Sequence, residues 1–363
     1  MIRNPSGLPA TMGDVARSAG VHPSTVSRAL RNDRRIPEAT RRRIRQAAEA
    51  LDYRPNPLVA ALVAGRRRRS RTGVSDGDQG GDGEPGCVLA FLTAWKTRGQ
   101  WRGSRLYAAV FDAMQRHARR RGYALEEFWL GEPGMTPARL RRILIARGIR
   151  GIVVCPLPAG THTLAFDFSG FAAVSLGYTL REPALDHVSY DYCAVLKEAI
   201  RRLRERGFRR IGFITTRNTS DRVAHLSLGA FLAERCLEPR RFPAPLVAPA
   251  WRPGALAAWV RGKRPDVVIT PTQAECVALR TALEKARFRM PADVSLACLD
   301  CHDNSREGGM VRDTDVEACA VVELLAGRVE RGQEGVPDLP QTILVGGRWR
   351  DGASLREAVA PAR

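Results

Sequence analysis

The sequence predicts a multidomain protein: an all-α three-helix head, a linker, and a larger α/β body of two lobes. Three observations lead there. The first 65 residues carry helical periodicity and concentrated arginine; residues 66–86 (RRRRSRTGVSDGDQGGDGEPG) hold almost nothing apolar; and from Cys87 onward short apolar runs alternate with amphipathic stretches. A stretch with so little apolar surface to bury does not repay the entropy of ordering, so 66–86 reads as a flexible linker. The 363 residues suffice for two or three domains.

The head follows from its punctuation. Thr11-Met-Gly-Asp14 has the form of a capping box, so Thr11 is expected to cap a helix over about 12–18 while Asp14 reaches back. That helix stops at Ala19-Gly20, where glycine supplies the left-handed conformation that ends a helix; Val21 returns to the core and Pro23 opens a second helix over 23–30. Helix, tight glycine turn, helix is the helix-turn-helix geometry. A third helix begins near Pro37. It buries Ile44, Ala47, Ala48 and Leu51, a stripe at i, i+3, i+4, i+7 that closes a small core with Val15, Ala16, Val26 and Leu30. Its opposite face carries Arg41, Arg42, Arg43 and Arg45. A generic three-helix bundle with solvated arginines shares this pattern.

Charge narrows the partner. Lys plus Arg number 58 against 38 Asp plus Glu, a net +20, the electrostatic footprint of a protein that meets many phosphates. Only Lys96, Lys197, Lys263 and Lys285 are lysines, so arginine-rich codon usage explains part of the bias. The distribution says more. Residues 1–72 hold sixteen Arg against five acids, about half the excess in a fifth of the chain, so the head is the segment to read for nucleic-acid contact.

In the body, apolar runs at Val88 to Leu92, Ile152 to Cys155, Ile211 to Thr215, Val267 to Thr270 and Val294 to Leu299 alternate with helical patterns at 104–121, 191–206, 221–236, 273–287 and 315–331. Strand then helix, repeated, means parallel sheet covered on both faces, and about 265 residues suit two similar halves. The eight cysteines are scattered, as in a reducing compartment. Cys298-Leu-Asp-Cys301-His302 matches the string that attaches a c-type haem, but it ends an apolar run that reads as a buried strand, so neither metal nor cofactor is expected. The chain has no dinucleotide fingerprint, phosphate loop, H-E-x-x-H or G-x-S-x-G, and Glu126-Glu127 alternate across a strand. An enzyme is therefore not expected; the alternative is an α/β enzyme, or a metal or haem redox protein, with an accessory DNA-binding head. No run approaches a membrane span and the N-terminus lacks a secretory pattern, so a cytoplasmic location is expected, nucleoid-associated through DNA.

The ordered string TMGDVARSAGVHPSTVSRALRN, followed by TRRRIRQAAEALDYRPNP, resembles the DNA-binding head of LacI-type (lactose-repressor, GalR-like) transcription regulators. The resemblance places the second helix in the major groove. Pro23 and Ser24 then occupy positions where the family varies its sequence choice, Thr25, Ser27 and Arg28 match positions that contact phosphates or bases, and Thr11 matches a phosphate contact. His22 replaces the usual capping Ser and Pro23 cannot hydrogen-bond a base, which shifts base reading toward Ser24, Arg28 and His22. Tyr53-Arg-Pro-Asn56-Pro-Leu-Val-Ala-Ala-Leu62 resembles the hinge helix, two copies of which pack in the minor groove while a Leu matching Leu62 wedges into a base step. Ala60-Ala61 departs from the usual Ala-Arg pair, as in a P-N-P hinge subgroup, and Arg66 to Arg69 are candidates for the missing phosphate contacts.

The resemblance also implies the organisation: head 9–55, hinge helix 56–65, linker 66–86, a periplasmic-binding-protein-like sensor over 87–352, and a tail, 353–363. One lobe is expected over about 87–188 and the other over about 189–299, with the helix near 315–331 returning to the first and the strand Thr342 to Val345 finishing the second. Ligands of such sheets sit at carboxyl ends of strands, which nominates Trp95, Asp191, Arg222, Thr270, Gln273 and Asp300. Asp300 matches the family Asp that accepts from sugar hydroxyls. The family's Asn-Asp after the strand at 267–270 is Pro271-Thr272 here, and its clamping Arg appears as Leu226, with Arg222 one turn earlier. The function implied is a homodimeric repressor of a palindromic operator, controlled by a small-molecule effector, with a sugar-related compound the family-level expectation.

Overall fold

A computed structural model describes residues 12–22, 25–26, 29, 36–51, 87–302 and 305–357. The chain divides into two units, Met1–Gly86 and Cys87–Arg363. In the first, α1 (Met12–Ser18) ends at Gly20 with φ +60, the left-handed turn that lets Val21 donate back to Ala16 O at 3.0 Å. Thr25, Val26 and Ala29 are helical, and α2 spans Glu38–Ala50. Val15, Ala16, Ala19, Val26, Ala29, Ile36, Ile44, Ala47 and Ala48 form its buried core, with Val21 and Leu51 packed against it. Leu30, expected in that core, lies outside the described residues.

The second unit holds two six-stranded sheets. The first lobe contains β1 (Cys87–Thr93), β2 (Tyr123–Trp129), β3 (Gly151–Val154), β4 (Ala172–Leu176), β5 (Asp186–Tyr190) and β11 (Thr342–Val345), in the order β11-β5-β4-β3-β1-β2, every pair parallel. The second contains β6 (Ile211–Thr216), β7 (Leu246–Ala248), β8 (Val267–Thr270), β9 (Ser295–Cys301), β10 (Gly308–Arg312) and β12 (Gly347–Arg350), in the order β12-β10-β9-β8-β6-β7, with β12 antiparallel. Central strands such as Gly-Ile-Val-Val and Val-Val-Ile-Thr are wholly buried, as parallel strands covered on both faces must be.

Helices α3 (Arg105–Arg120), α4 (Pro137–Ala146) and α10 (Thr314–Arg331) belong to the first lobe; α5 (Tyr192–Glu205), α6 (Arg217–Arg222), α7 (Leu226–Leu237), α8 (Pro253–Lys263) and α9 (Gln273–Lys285) belong to the second. The chain passes between lobes at 190–192, 312–314 and 345–347. Helix α10 does return to the first lobe, but the strand at 342–345 corrects the expectation. It pairs with β5, Thr342 opposite His187, in the first sheet, and the unforeseen β12 finishes the second. The helix expected over 221–236 is also broken: Ala224 and His225 take φ values of +50 and +59, which end α6 and restart the chain as α7.

One irregularity positions a functional side chain. Between Gly309 and Val311 the pairing of β10 with β9 slips, so three steps of β9 from Cys298 to Cys301 face two of β10. The extra residue puts Cys298 and Cys301 into the same apolar cluster although strand periodicity would send them to opposite faces. Gly309, at φ +145, makes the slip possible, because a Cβ there would sit 1.9 Å from Cys298 O. Among the described residues no helix is long and apolar enough to cross a membrane.

Candidate functional site: an interlobe cleft and a helix-turn-helix face

On the head, His22 is exposed, and its carbonyl accepts from Thr25 N at 2.8 Å and Val26 N at 3.3 Å, which places it at the cap of the second helix. Thr25 is half-buried beside that turn. Arg42, Arg43 and Arg45 face solvent on α2, while Arg41 pairs with Glu38. Asp14 pairs with Arg17. The other predicted DNA-contact residues, Thr11, Pro23, Ser24, Ser27, Arg28, Asn56 and Leu62, lie outside the described residues, as do the hinge helix and the linker.

In the body, the carboxyl ends of both parallel sheets face one cleft, the arrangement in which open α/β sheets bind ligands. A cavity of about 240 Å³ lies there. The first lobe lines it with Leu106, Tyr107 and Val110 of α3, Pro156 after β3, and Leu176 to Thr179 at the end of β4. The second contributes Thr219, Arg222 and Val223 from α6 and its end, Pro271 and Thr272 after β8, Asp300 and Arg312, with Tyr192 at the crossing. An adjoining cavity of about 500 Å³ shares Asp300 and Arg312 and adds Gln273, Arg280 and Glu307.

Three charged groups set its chemistry. Arg222 crosses the cleft, donating to Leu157 O at 2.8 Å and to Tyr107 OH at 2.6 Å. Arg312 is buried, binds Glu317 through two bonds of 2.6 and 2.7 Å, donates to Tyr192 OH at 3.3 Å, and stands 3.8 Å from Asp300. Asp300 ends the buried run of β9, where the bulge aims it at the cleft. Burial pushes its carboxyl above the usual carboxylate range, with Arg312 pulling the other way. Burial does the same to Glu275, whose carboxylate accepts from Thr216 N at 3.0 Å behind the cleft wall.

Because Asp300 holds its proton more tightly folded than unfolded, stability falls as pH rises from about 4, the unfolded carboxylate pKa, through the raised value. Asp300→Asn is expected to flatten that fall in urea unfolding of the body, leaving the part due to Glu275. An identical pH slope in wild type and variant would show the Asp300 carboxyl to be unperturbed.

The predicted ligand residues fare unequally. Arg222 and Asp300 line the first cavity, and Gln273 and Asp300 line the second. Thr270 is fully buried beneath the wall, its hydroxyl directed at Thr272 O and Ala297 O. Trp95 lies one layer behind, its indole donating to Pro156 O at 2.8 Å and its edge against Tyr107. Asp191 caps α5, accepting from Ala194 N at 2.9 Å, and lines neither cavity. Sequence reasoning missed Arg312 and the tyrosines 107, 178 and 192; an arginine closing the buried run Gly308 to Val311 was the available signal. In the Cys-x-x-Cys-His string, Cys301 Sγ donates to Glu307 O at 3.6 Å, and among the described residues no three His, Cys, Asp or Glu are placed to share a metal.

The pattern of bacterial regulatory proteins of the lacI family matches residues 11–56, and that of the periplasmic binding protein-like domain matches 200–354. The chain is 26% identical over 336 residues to the HTH-type transcriptional regulator PtxS of Pseudomonas putida, covering 90% of this chain and 91% of that one. It is 44% identical over 63 residues to the transcriptional repressor CytR of Escherichia coli, covering 17% of this chain and 18% of CytR. Among solved structures, the lac repressor dimer bound to operator and an anti-inducer aligns with a TM-score of 0.55 at 15% identity, over 96% of this chain and 99% of that one. The transcriptional regulator CelR in complex with cellobiose aligns with a TM-score of 0.51 at 18% identity, over 95% and 99%.

Proposed function

The chain is a DNA-binding transcription regulator of the bacterial lacI family rather than an enzyme, and from that premise we propose a homodimeric repressor whose cleft takes a sugar-related effector. One observation carries the effector reading: a donor, Arg222, and an acceptor, Asp300, converge with tyrosine rings on a cavity of about 240 Å³ where the two lobes meet. Polyol hydroxyls need both kinds of partner, and apolar ring faces need flat surfaces. Gln273, at the adjoining cavity, adds an amide, while Trp95, Thr270 and Asp191 support the wall or the crossing. An effector that prefers one angle between the lobes shifts the sensor by its differential affinity, and so orders or frees the hinge helices.

For DNA, the reading assigns base contact to His22, Ser24 and Arg28, backbone contact to Thr11, Thr25 and Ser27, and the minor-groove wedge to Leu62, with Pro23 and Asn56 setting the ends of recognition and hinge helices. The domains follow as 9–55, 56–65, 66–86, 87–352 and 353–363, acting in the cytoplasm on the nucleoid. Twofold-related heads imply a palindromic site with half-sites in register.

The test is selection of bound genomic fragments followed by titration of the selected duplex and a random one. Arg28→Ala is expected to weaken the selected site by about 1–3 kcal/mol, the worth of a bidentate guanine contact, with a much smaller loss on random DNA. Equal losses on both duplexes would remove Arg28 from base reading, and an unselective wild type would remove the operator itself.

A further inference from the structure

The two residues that end α6 both leave the second lobe for the first. Arg222 donates to Leu157 O and Tyr107 OH, at 2.8 and 2.6 Å. Asp221 turns to the rim, where its Oδ1 accepts from Arg181 at 2.7 Å, its own carbonyl accepts from the same nitrogen at 3.1 Å, and its Oδ2 lies 3.0 Å from His162 Nε2. His162 and Arg181 stand on the segments after β3 and β4, so these contacts span the cleft.

The histidine decides how strong the rim is. Its Nδ1 lies 3.1 Å from Thr179 O, an acceptor, and its Nε2 faces the Asp221 carboxylate, also an acceptor. A neutral imidazole has one N–H and satisfies only one of these; the imidazolium donates to both. The ring is held in place by its own carbonyl, which accepts from Arg181 N at 2.7 Å and Glu182 N at 3.1 Å. The charged and titratable groups around this rim are Asp221, Arg222 and His225 from α6 and its end, and Arg181 and Glu182 from the segment after β4.

We propose that Asp221 and Arg222 form a clasp that ties the lobes together, and that protonation of His162 tightens it. With the ring protonated the clasp has its full set of bonds; a neutral ring has one N–H for the two acceptors facing it and no charge to attract Asp221, so the lobes separate more readily. The regulatory consequence, a lobe angle and hence an operator affinity sensitive to pH, rests on the sensor reading above. The clasp itself does not.

The experiment follows hydrogen exchange by mass spectrometry on the full chain, without DNA or any small molecule, at pH 6 and pH 8, with intrinsic rates corrected. Segments 157–163 and 177–183 are expected to be about two- to fivefold better protected at pH 6, the range a partly exposed ion pair commands. His162→Gln is expected to remove the pH dependence, and Asp221→Asn to lower protection at both values, each with an unchanged circular dichroism spectrum. Equal wild-type protection at the two values, or a pH dependence that survives His162→Gln, overturns the proposal. Because no effector enters the measurement, a cleft that binds no sugar leaves this outcome untouched.

Discussion

Glu317→Ala is expected to cost the two-lobed body about 3–5 kcal/mol, because it strands a buried guanidinium. The side chains of Arg312 and Glu317 are 6% and 1% exposed, and the two bonds between them satisfy most of what the arginine has given up in leaving water. Remove the carboxylate and Arg312 keeps Tyr192 OH, the face of the Tyr190 ring at 4.9 Å, and Asp300, the last 3.8 Å away and itself disfavoured as an anion by burial. The location magnifies the effect. Arg312 ends β10 in the second lobe and Glu317 lies in the first turn of α10 in the first, with Asp313 capping the helix between them through Asp315 N and Val316 N. The pair therefore seals one of the three crossings. Urea unfolding of the variant measures the loss, and the control is the double replacement Arg312→Met with Glu317→Leu, which leaves no orphaned charge and is expected to recover most of it. A single-variant loss under about 1 kcal/mol, the worth of an exposed pair, would mean that water reaches the crossing.

That pair was invisible in the sequence for a reason that applies to the whole cleft. Fully buried strands announce themselves as apolar runs, and Val267 to Thr270 or Ile211 to Thr215 could be read directly. Edge strands do not. In β2 the run Tyr-Ala-Leu-Glu-Glu-Phe-Trp carries two carboxylates, Glu126 pairing with Arg147 and Glu127 accepting from Trp101, while β12 is Gly-Arg-Trp-Arg. The alternation of Glu126 and Glu127 already suggests a strand, but β12 does not look like one until a neighbour supplies its ladder. Likewise 342–345 comes late in the chain after a helix of the first lobe, and only its register with β5 reveals which sheet it joins.

For the cleft, Asp300 was legible because it terminates a buried run, and Arg222 because it stands one turn before Leu226, where the resembled family has its clamping arginine. Asp191 shows the limit of that logic. A polar residue at a strand end is equally well placed to cap the next helix, and its carboxylate is committed to Ala194 N. The tyrosines of the cavity come from α3, the end of β4 and the crossing, three places that no local pattern connects.

Ile44→Ala should weaken DNA binding sharply although Ile44 is buried in the head and faces no DNA. Among the described residues of the head, Val15, Val26 and Ile44 are the fully buried branched side chains, one from each helix, and Ile44 is the contribution of α2. Truncating such a residue costs about 2–5 kcal/mol through lost transfer energy and the cavity left behind. A three-helix unit of this size rarely has more than about 3–5 kcal/mol in total, so one substitution consumes most of its stability. The body, a separate unit with its own apolar clusters, should keep its urea midpoint. Ile44→Val, costing about 0.5–1.5 kcal/mol, should leave a folded and active head. The decisive comparison is with Arg28→Ala. If Ile44→Ala acts by unfolding, the folded fraction sets the apparent affinity, and enough operator DNA should pull the head back into its native state and recover full occupancy with native helical signal. A head that stays folded after Ile44→Ala and still binds as wild type would mean that α2 is not part of the unit that holds the recognition helix in place.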